Sequence, residues 1–371
     1  MAQNAESTPL SDAATGVLFS PDIMRQVFSQ LGHQPCSTSA LVCKNWQYWW
    51  LETLVVRRIV RPGAIHEIDL IDFKNNPRGM AAIADSLYIL EEDCDHREPD
   101  MLHVVDVGMS RLRQLSVDRI VPENDAVYFA IAADSASVYL GGQDFDGQAS
   151  LVRLLSGACT VAARASISTS HMTCVHHLGL DHGTLFALRA TNDHPDELLA
   201  LDHATLEVRF VVGPDVLGPT CTEAGRTGRT VSCLAACNYR VFVCNAVDKS
   251  LRMLSHTGVP LETLTLDWGL PEVLCATASR VYLLNDDRRI WILTTDGAHT
   301  EVGDAAGVGE LNGTARSKEG MMQLAYTYRL PSGANLDDEL QEPRIACMCF
   351  FDDSLIVADY EHGKLHTIRG C

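Results

Sequence analysis

Apolar positions change period once along the chain. Between residues 23 and 54 they recur at helical spacing: Ile23, Val27, Phe28 and Leu31, then Leu41, Val42, Trp46, Trp49, Trp50 and Leu54. Ser20, Pro21 and Asp22 place a capping hydroxyl, a preset φ and a carboxylate where a first helix would begin, and Gly32 ends it. From about residue 78 helical spacing gives way to short alternating or β-branched runs bounded by Asp, Gly, Asn and Ser, the pattern of strands and tight turns.

The strand region repeats. A turn followed by an apolar run recurs as DSLYIL, SASVYLGG, GTLFALRA, YRVFVCNA, SRVYLLND and DSLIVADY, with first core residues Leu87, Val138, Leu185, Val241, Val281 and Leu355. Each is followed by a second strand signature, such as MLHVVDVG, ELLALDHATL or RIWILTTDG. Six such units predict a mainly β fold, a six-bladed β-propeller over residues 63–371, since radial repetition spares many short strands a long exposed edge. The last unit stops at Cys371 one strand short, and AIHEIDLID at 64–72 is the strand-like run expected to complete it. A stretch at 304–344 reads as an insertion between the fifth and sixth units. Its middle, MMQLAYTYRL, carries Tyr326 and Tyr328 as candidate contact residues.

Hairpin connectivity sorts the loops. Turns joining first to second and third to fourth strands lie on one face, and the longer connections lie on the other. Each long second-to-third loop carries an acid: Asp95, Asp146, Asp193, Asp248, Asp286 and Asp359. These six form a candidate rim for a basic segment of a target protein, and Asp is also a common turn former.

Composition narrows the function classes. A formal charge of −19 argues against binding nucleic acid or anionic membrane. The 13 cysteines show no spaced framework, and residues 1–17, polar and expected to be disordered, show no leader pattern. Reduced thiols and a cytoplasmic or nuclear location are expected. No motif of nucleophilic or phosphate-binding catalysis occurs, and no cofactor is implied. The cluster HMTCVHHLGLDH offers His171, Cys174, His176, His177 and His182, but strand geometry puts Cys174 and His176 on one face and His177 on the other. No metal site is assigned.

Within residues 18–62 the order of positions in FSPDIMRQVFSQLGHQPCSTSALVCKNW resembles an F-box. Pro21, Asp22, Ile23, Met24, Val27, Phe28 and Leu31 match its first half, and Val42, Cys43, Lys44 and Trp46 its second. Ser20 replaces the usual proline, and Cys36 and Ser39 stand where leucine is usual. The resemblance implies docking to a Skp-type adaptor, and through it a cullin, by Pro21, Ile23, Met24, Val27, Phe28, Leu31, Val42, Cys43 and Trp46. The sixth repeat is similar to NHL-type propeller repeats. Together these imply a non-catalytic substrate receptor of a ubiquitin ligase whose propeller holds a protein target. The alternatives are a propeller hydrolase of the lactonase or esterase kind, and an F-box scaffold acting without ubiquitin transfer.

Overall fold

The computed structural model describes residues 65–68, 76–83, 86–92, 100–106, 112–122, 126–167, 172–191, 195–220, 222–223, 226–227, 231–267, 271–285, 289–295, 322–329, 345–351, 354–359 and 364–369. The helical segment at 18–62, and with it every predicted adaptor-binding residue, lies outside them. The chain divides into two compact units, and the described strands fall, but for Arg369, in the one spanning Ile65–Ile368.

That unit is a six-bladed β-propeller in which each blade is a four-stranded antiparallel sheet. The first blade comprises β2 (Asn76–Ile83), β3 (Ser86–Glu92), β4 (Met101–Asp106) and β5 (Leu112–Ser116). The second comprises β6 (Val127–Ala133), β7 (Ser137–Gln143), β8 (Ala149–Leu155) and β9 (Thr160–Ile167). The third comprises β10 (Thr173–Asp181), β11 (Thr184–Thr191), β12 (Glu197–Asp202) and β13 (Val208–Val212). A two-stranded hairpin, β14 (Thr222–Glu223) and β15 (Arg226–Thr227), precedes the fourth: β16 (Val231–Cys237), β17 (Arg240–Asn245), β18 (Ser250–Ser255) and β19 (Pro260–Thr265). The fifth holds β20 (Pro271–Ala276), β21 (Arg280–Asn285), β22 (Arg289–Thr294) and β23 (Gln323–Arg329). The sixth holds β24 (Ile345–Phe351), β25 (Ser354–Asp359) and β26 (Lys364–Arg369), and its fourth strand is β1 (Ile65–Ile68). One-turn helices α1 (Val117–Ile120) and α2 (Pro214–Leu217) sit on connections between blades.

Two assignments bear on the sequence reading. Residues 65–68 of the run at 64–72 do close the ring: Ile65 lies opposite Ile368 and Ile68 opposite Leu365, antiparallel. The stretch read as an insertion at 304–344 is corrected in part. Its run QLAYTYR is β23, the fourth strand of the fifth blade, with Tyr326 opposite Ile292 and Tyr328 opposite Ile290. The long gap between β22 and β23 hid a partnership that short turns make evident in the other blades.

The core lies between blades. Alternation sends successive inner-strand residues to opposite neighbours. Tyr128 and Ile131 pack with Tyr88, Leu90 and Val104 of the first blade, while Ala130 and Ala132 pack with Val175, Leu185 and Leu201 of the third. Each Leu or Val buried this way contributes about 1.5–3 kcal/mol. Polar ties register the blades: Tyr128 N donates to Asp100 Oδ2 at 3.2 Å, Ala149 N to Thr173 Oγ1 at 3.0 Å, and Val231 N to buried Asp196 at 2.9 Å. At the opposite end Asp181 accepts the Asn238 and Tyr239 amides, at 3.1 and 2.6 Å.

Aspartates also build the turns. Asp202 accepts the amides of Ala204 and Thr205 and pairs with Arg209. The Thr205 amide first, then Arg209, hold its carboxyl well below the usual range. A depressed carboxylate stabilises the fold above its unfolded value, about 4, and that contribution is lost as pH falls below it. Melting temperatures of Asp202→Asn and the parent should therefore differ at pH 7, the variant being lower, and converge as pH drops below about 4. A chain begun at residue 61 should stay soluble. One begun at residue 75, lacking β1, should leave β26 as an open edge and aggregate, as light scattering would report.

Candidate functional site

All six inner strands carry the same irregularity near their first residues. Register slips between Pro77 and Gly79, Tyr128 and Ala130, Val175 and His177, Val231 and Cys233, Pro271 and Val273, and Ile345 and Cys347. One residue per blade is thereby left over: Arg78, Phe129, His176, Ser232, Glu272 and Ala346. Their neighbours explain where the extra residue goes. Tyr128 packs toward the first blade and Ala130 toward the third; Val231 packs toward the third and Cys233 toward the fifth. In these two blades the bulged residue, Phe129 or Ser232, belongs to neither packed layer, and it stands where the inner strand begins, at the long-loop end. A bulge re-aims a side chain in this way. Consecutive members meet: the Phe129 and His176 rings have centroids 5.3 Å apart.

The ring is chemically uneven. Arg78 and Glu272 are exposed, whereas Phe129, His176 and Ser232 are half-buried. The Arg78 guanidinium donates to Glu92, and next to it buried Glu91 meets buried His103. Cys174 Sγ lies 2.6 Å from His176 Nε2.

Outside the ring, on the same face, the loop between β7 and β8 projects Phe145, 83% exposed, and Met172 before β10 is 58% exposed. This loop is held firmly. Gln148 N donates to Asp144 Oδ1 at 2.8 Å and Gly147 N to Asp144 O at 2.9 Å. Gln143 Nε2 donates to the carbonyls of both Gly147 and Thr173, and Thr173 N donates to Gly147 O at 2.7 Å. Gly147 has φ +76°, which a side chain would strain. Two large apolar side chains thus face solvent on fixed backbone, the usual mark of a contact surface.

Of the six predicted rim acids, two have described side chains. Asp146 is exposed beside Phe145. Asp248 accepts from Ser250 Oγ at 2.5 Å and pairs with Arg252, so much of its charge is spent within its own loop. Asp359 ends β25 opposite Ile345. Asp95, Asp193 and Asp286 lie outside the described residues. Two other acids of these loops, Asp100 and Asp196, tie one blade to the next. Each follows a proline and directly precedes a third strand, a repeated Pro-Asp signal in the sequence. The histidine cluster divides: Cys174 and His176 come together, His177 lies opposite Leu188, and His182 stacks on Tyr239 at the far end of β10. His171 lies outside the described residues. Among the described residues no group of three or more His, Cys, Asp or Glu is arranged to hold a metal, and no helix is long and apolar enough to cross a membrane.

No protein-family model and no curated protein matches the chain. Among solved structures it is similar to the WD40 repeats of RRP9, at 10% identity, with 80% of this chain and 77% of that one covered and a TM-score of 0.50. It also aligns with the β-propeller domain of Myceliophteria thermophila Cps50 (Swd1), at 11% identity, 81% and 99% coverage and a TM-score of 0.49. For the WD40 β-propeller domain of Doa1 the figures are 11%, 82%, 96% and 0.42. The likeness to the RRP9 repeats shows a β-propeller fold.

The second blade tests the bulge account. A Cβ on Gly142, opposite Tyr128, would lie 1.9 Å from Val127 O, whereas one on Gly157 would meet nothing within 4 Å. Gly142→Ala should cost about 1–3 kcal/mol in chemical unfolding because backbone must shift, and Gly157→Ala should be near neutral.

Proposed function

We propose that the chain is a protein-interaction scaffold whose propeller captures a target on the long-loop face, and that it is more specifically the substrate receptor of a Skp/cullin/F-box ubiquitin ligase. The observation that carries the first part is the firmly held β7–β8 loop with exposed Phe145, and exposed Met172 beside it ahead of β10. The second part rests on the F-box resemblance of residues 20–46. The two parts fit one mechanism: the amino-terminal motif fixes the propeller to the adaptor, and the propeller holds the target's lysines near a ligase-bound ubiquitin donor. Such a receptor performs no chemistry. It raises effective concentration, and that alone can change a rate by orders of magnitude.

Target chemistry follows from the face. Exposed Asp146 beside Phe145, exposed Glu272 in the ring and a net charge of −19 favour a segment pairing apolar anchors with Lys or Arg. Binding energy would concentrate in the aromatic and Met contacts, with charge setting the encounter rate.

Affinity purification of the tagged full chain separates the two parts. Phe28→Ala with Trp46→Ala should lose adaptor and cullin at least tenfold while targets remain; retained adaptor would refute the F-box assignment. Phe145→Ser with Met172→Ser should lose targets and keep the adaptor. Stability should change by less than about 1 kcal/mol per site, since both side chains are mostly exposed. Unchanged targets would place capture elsewhere on the ring.

A further inference from the structure

The described cysteines fall into two chemical classes. Seven are packed into the blades: Cys159, Cys233, Cys244, Cys275, Cys347 and Cys349 are buried, and Cys237 is half-buried at the end of β16. Burial pushes the Cys237 thiol up to about 11 and the Cys275 thiol to about 12. It raises Cys159, Cys244, Cys347 and Cys349 as well. Such thiols stay protonated and inert.

Cys174 is different in place and partner. It lies near the start of β10, half-buried, at the channel end where the bulges gather. His176 would sit on the same face in a regular strand. Here it is the extra residue of the bulge, and its Nε2 comes to 2.6 Å from Cys174 Sγ. The Phe129 ring of the second blade lies against this imidazole, tilted 33° to it. A contact of the sulfur to Ala190 O is longer, at 3.9 Å. Among the described residues, further titratable or charged positions flank the pair on these strands and loops: Arg189 with its partner Glu197, Asp196 and His177. Arg189, opposite Val175 and one step along the ladder from the thiol, pairs with Glu197, and its Nε has no hydrogen-bond partner. Asp196 is occupied by the Val231 amide, and His177 lies past the bulge, opposite Leu188.

We propose that Cys174 and His176 form a thiolate–imidazolium pair, making Cys174 a site of reversible oxidation by peroxide-class oxidants at the mouth of the channel. The thiol proton passes to His176 Nε2. The sulfur then attacks one peroxide oxygen, the O–O bond breaks, and the departing hydroxide takes up a proton to leave as water. Sulfur, oxidised by two electrons, becomes a sulfenic acid that an added thiol returns to the starting state. The site is independent of the target-binding reading, although a sulfenic acid there would change the polarity of the same face.

The test is alkylation of the native full-length protein with iodoacetamide from pH 5.5 to 9, each cysteine followed by peptide mass spectrometry. Cys174 should react at least about tenfold faster than any of the seven packed cysteines at pH 6.5, where an ordinary exposed thiol is about 1% ionised. Its rate should hold a plateau below pH 7, where an ordinary thiol's rate falls tenfold per unit. His176→Asn should abolish the plateau while leaving the packed thiols protected. Hydrogen peroxide should oxidise Cys174 first, and dithiothreitol should reverse it. The profile of the unaltered protein decides the matter even if the variant misfolds. A Cys174 rate that falls tenfold per unit below pH 8, or one no faster than the packed thiols, overturns the proposal.

Discussion

The ring is closed by four residues. β1, Ile65–Ile68, pairs with β26 at the far end of the chain, and this one antiparallel contact converts a row of sheets into a circle. Everything else rests on it, because blades pack face to face and each interblade layer needs a neighbour on both sides. The layer holding Met80, Leu87 and Ile89 of the first blade against Cys347, Phe351 and Leu365 of the sixth lies at the junction that β1 spans in sequence. The entropic cost of joining ends so distant in sequence grows only slowly with the length enclosed, whereas the apolar area gained is that of a complete interface.

Closure also decides where chemistry can occur. Once the inner strands converge, alternation commits nearly every inner side chain to one neighbouring blade or the other. Only a residue that breaks alternation can serve the channel. The six bulges are such breaks, each near the first residues of its inner strand, and they fall at residues as different as Arg78, Phe129, His176 and Glu272. The loop carrying Phe145 is fixed to the next blade through Gln143 and Thr173, so the contact surface inherits the rigidity of the ring.

How much of this was legible follows from what each feature does to the alphabet. Strands and blade number were readable because half-buried strands alternate and tight turns demand Asp, Asn and Gly. The closing strand was readable because the last repeat lacked one. The fifth blade's outer strand was not, since the separation between Thr294 and Gln323 removes the turn signal that marks a partner. The bulges were hidden for a subtler reason. In VYFAIAA every residue is apolar, so an extra Phe129 leaves no gap in the pattern, and only pairing register exposes it. The acidic loops misdirect by the same logic: the letter Asp marks Asp202 in a turn, Asp196 between blades and Asp146 in solvent alike, and context alone tells them apart. In the histidine cluster the pairing of Cys174 with His176 was visible as a shared strand face, but the bulge that brings them together was not.

Native-state hydrogen exchange of the β1 and β26 amides addresses closure most directly. If the four-residue contact holds the ring, amides of residues 65–68 paired with 365–368 should exchange only through an opening as costly as that of the inner strands, and should show the same dependence on denaturant. Exchange of these amides at the rate of surface loops, while β7, β11 and β17 remain protected, would show that the blades hold together without the closing strand and would contradict the account.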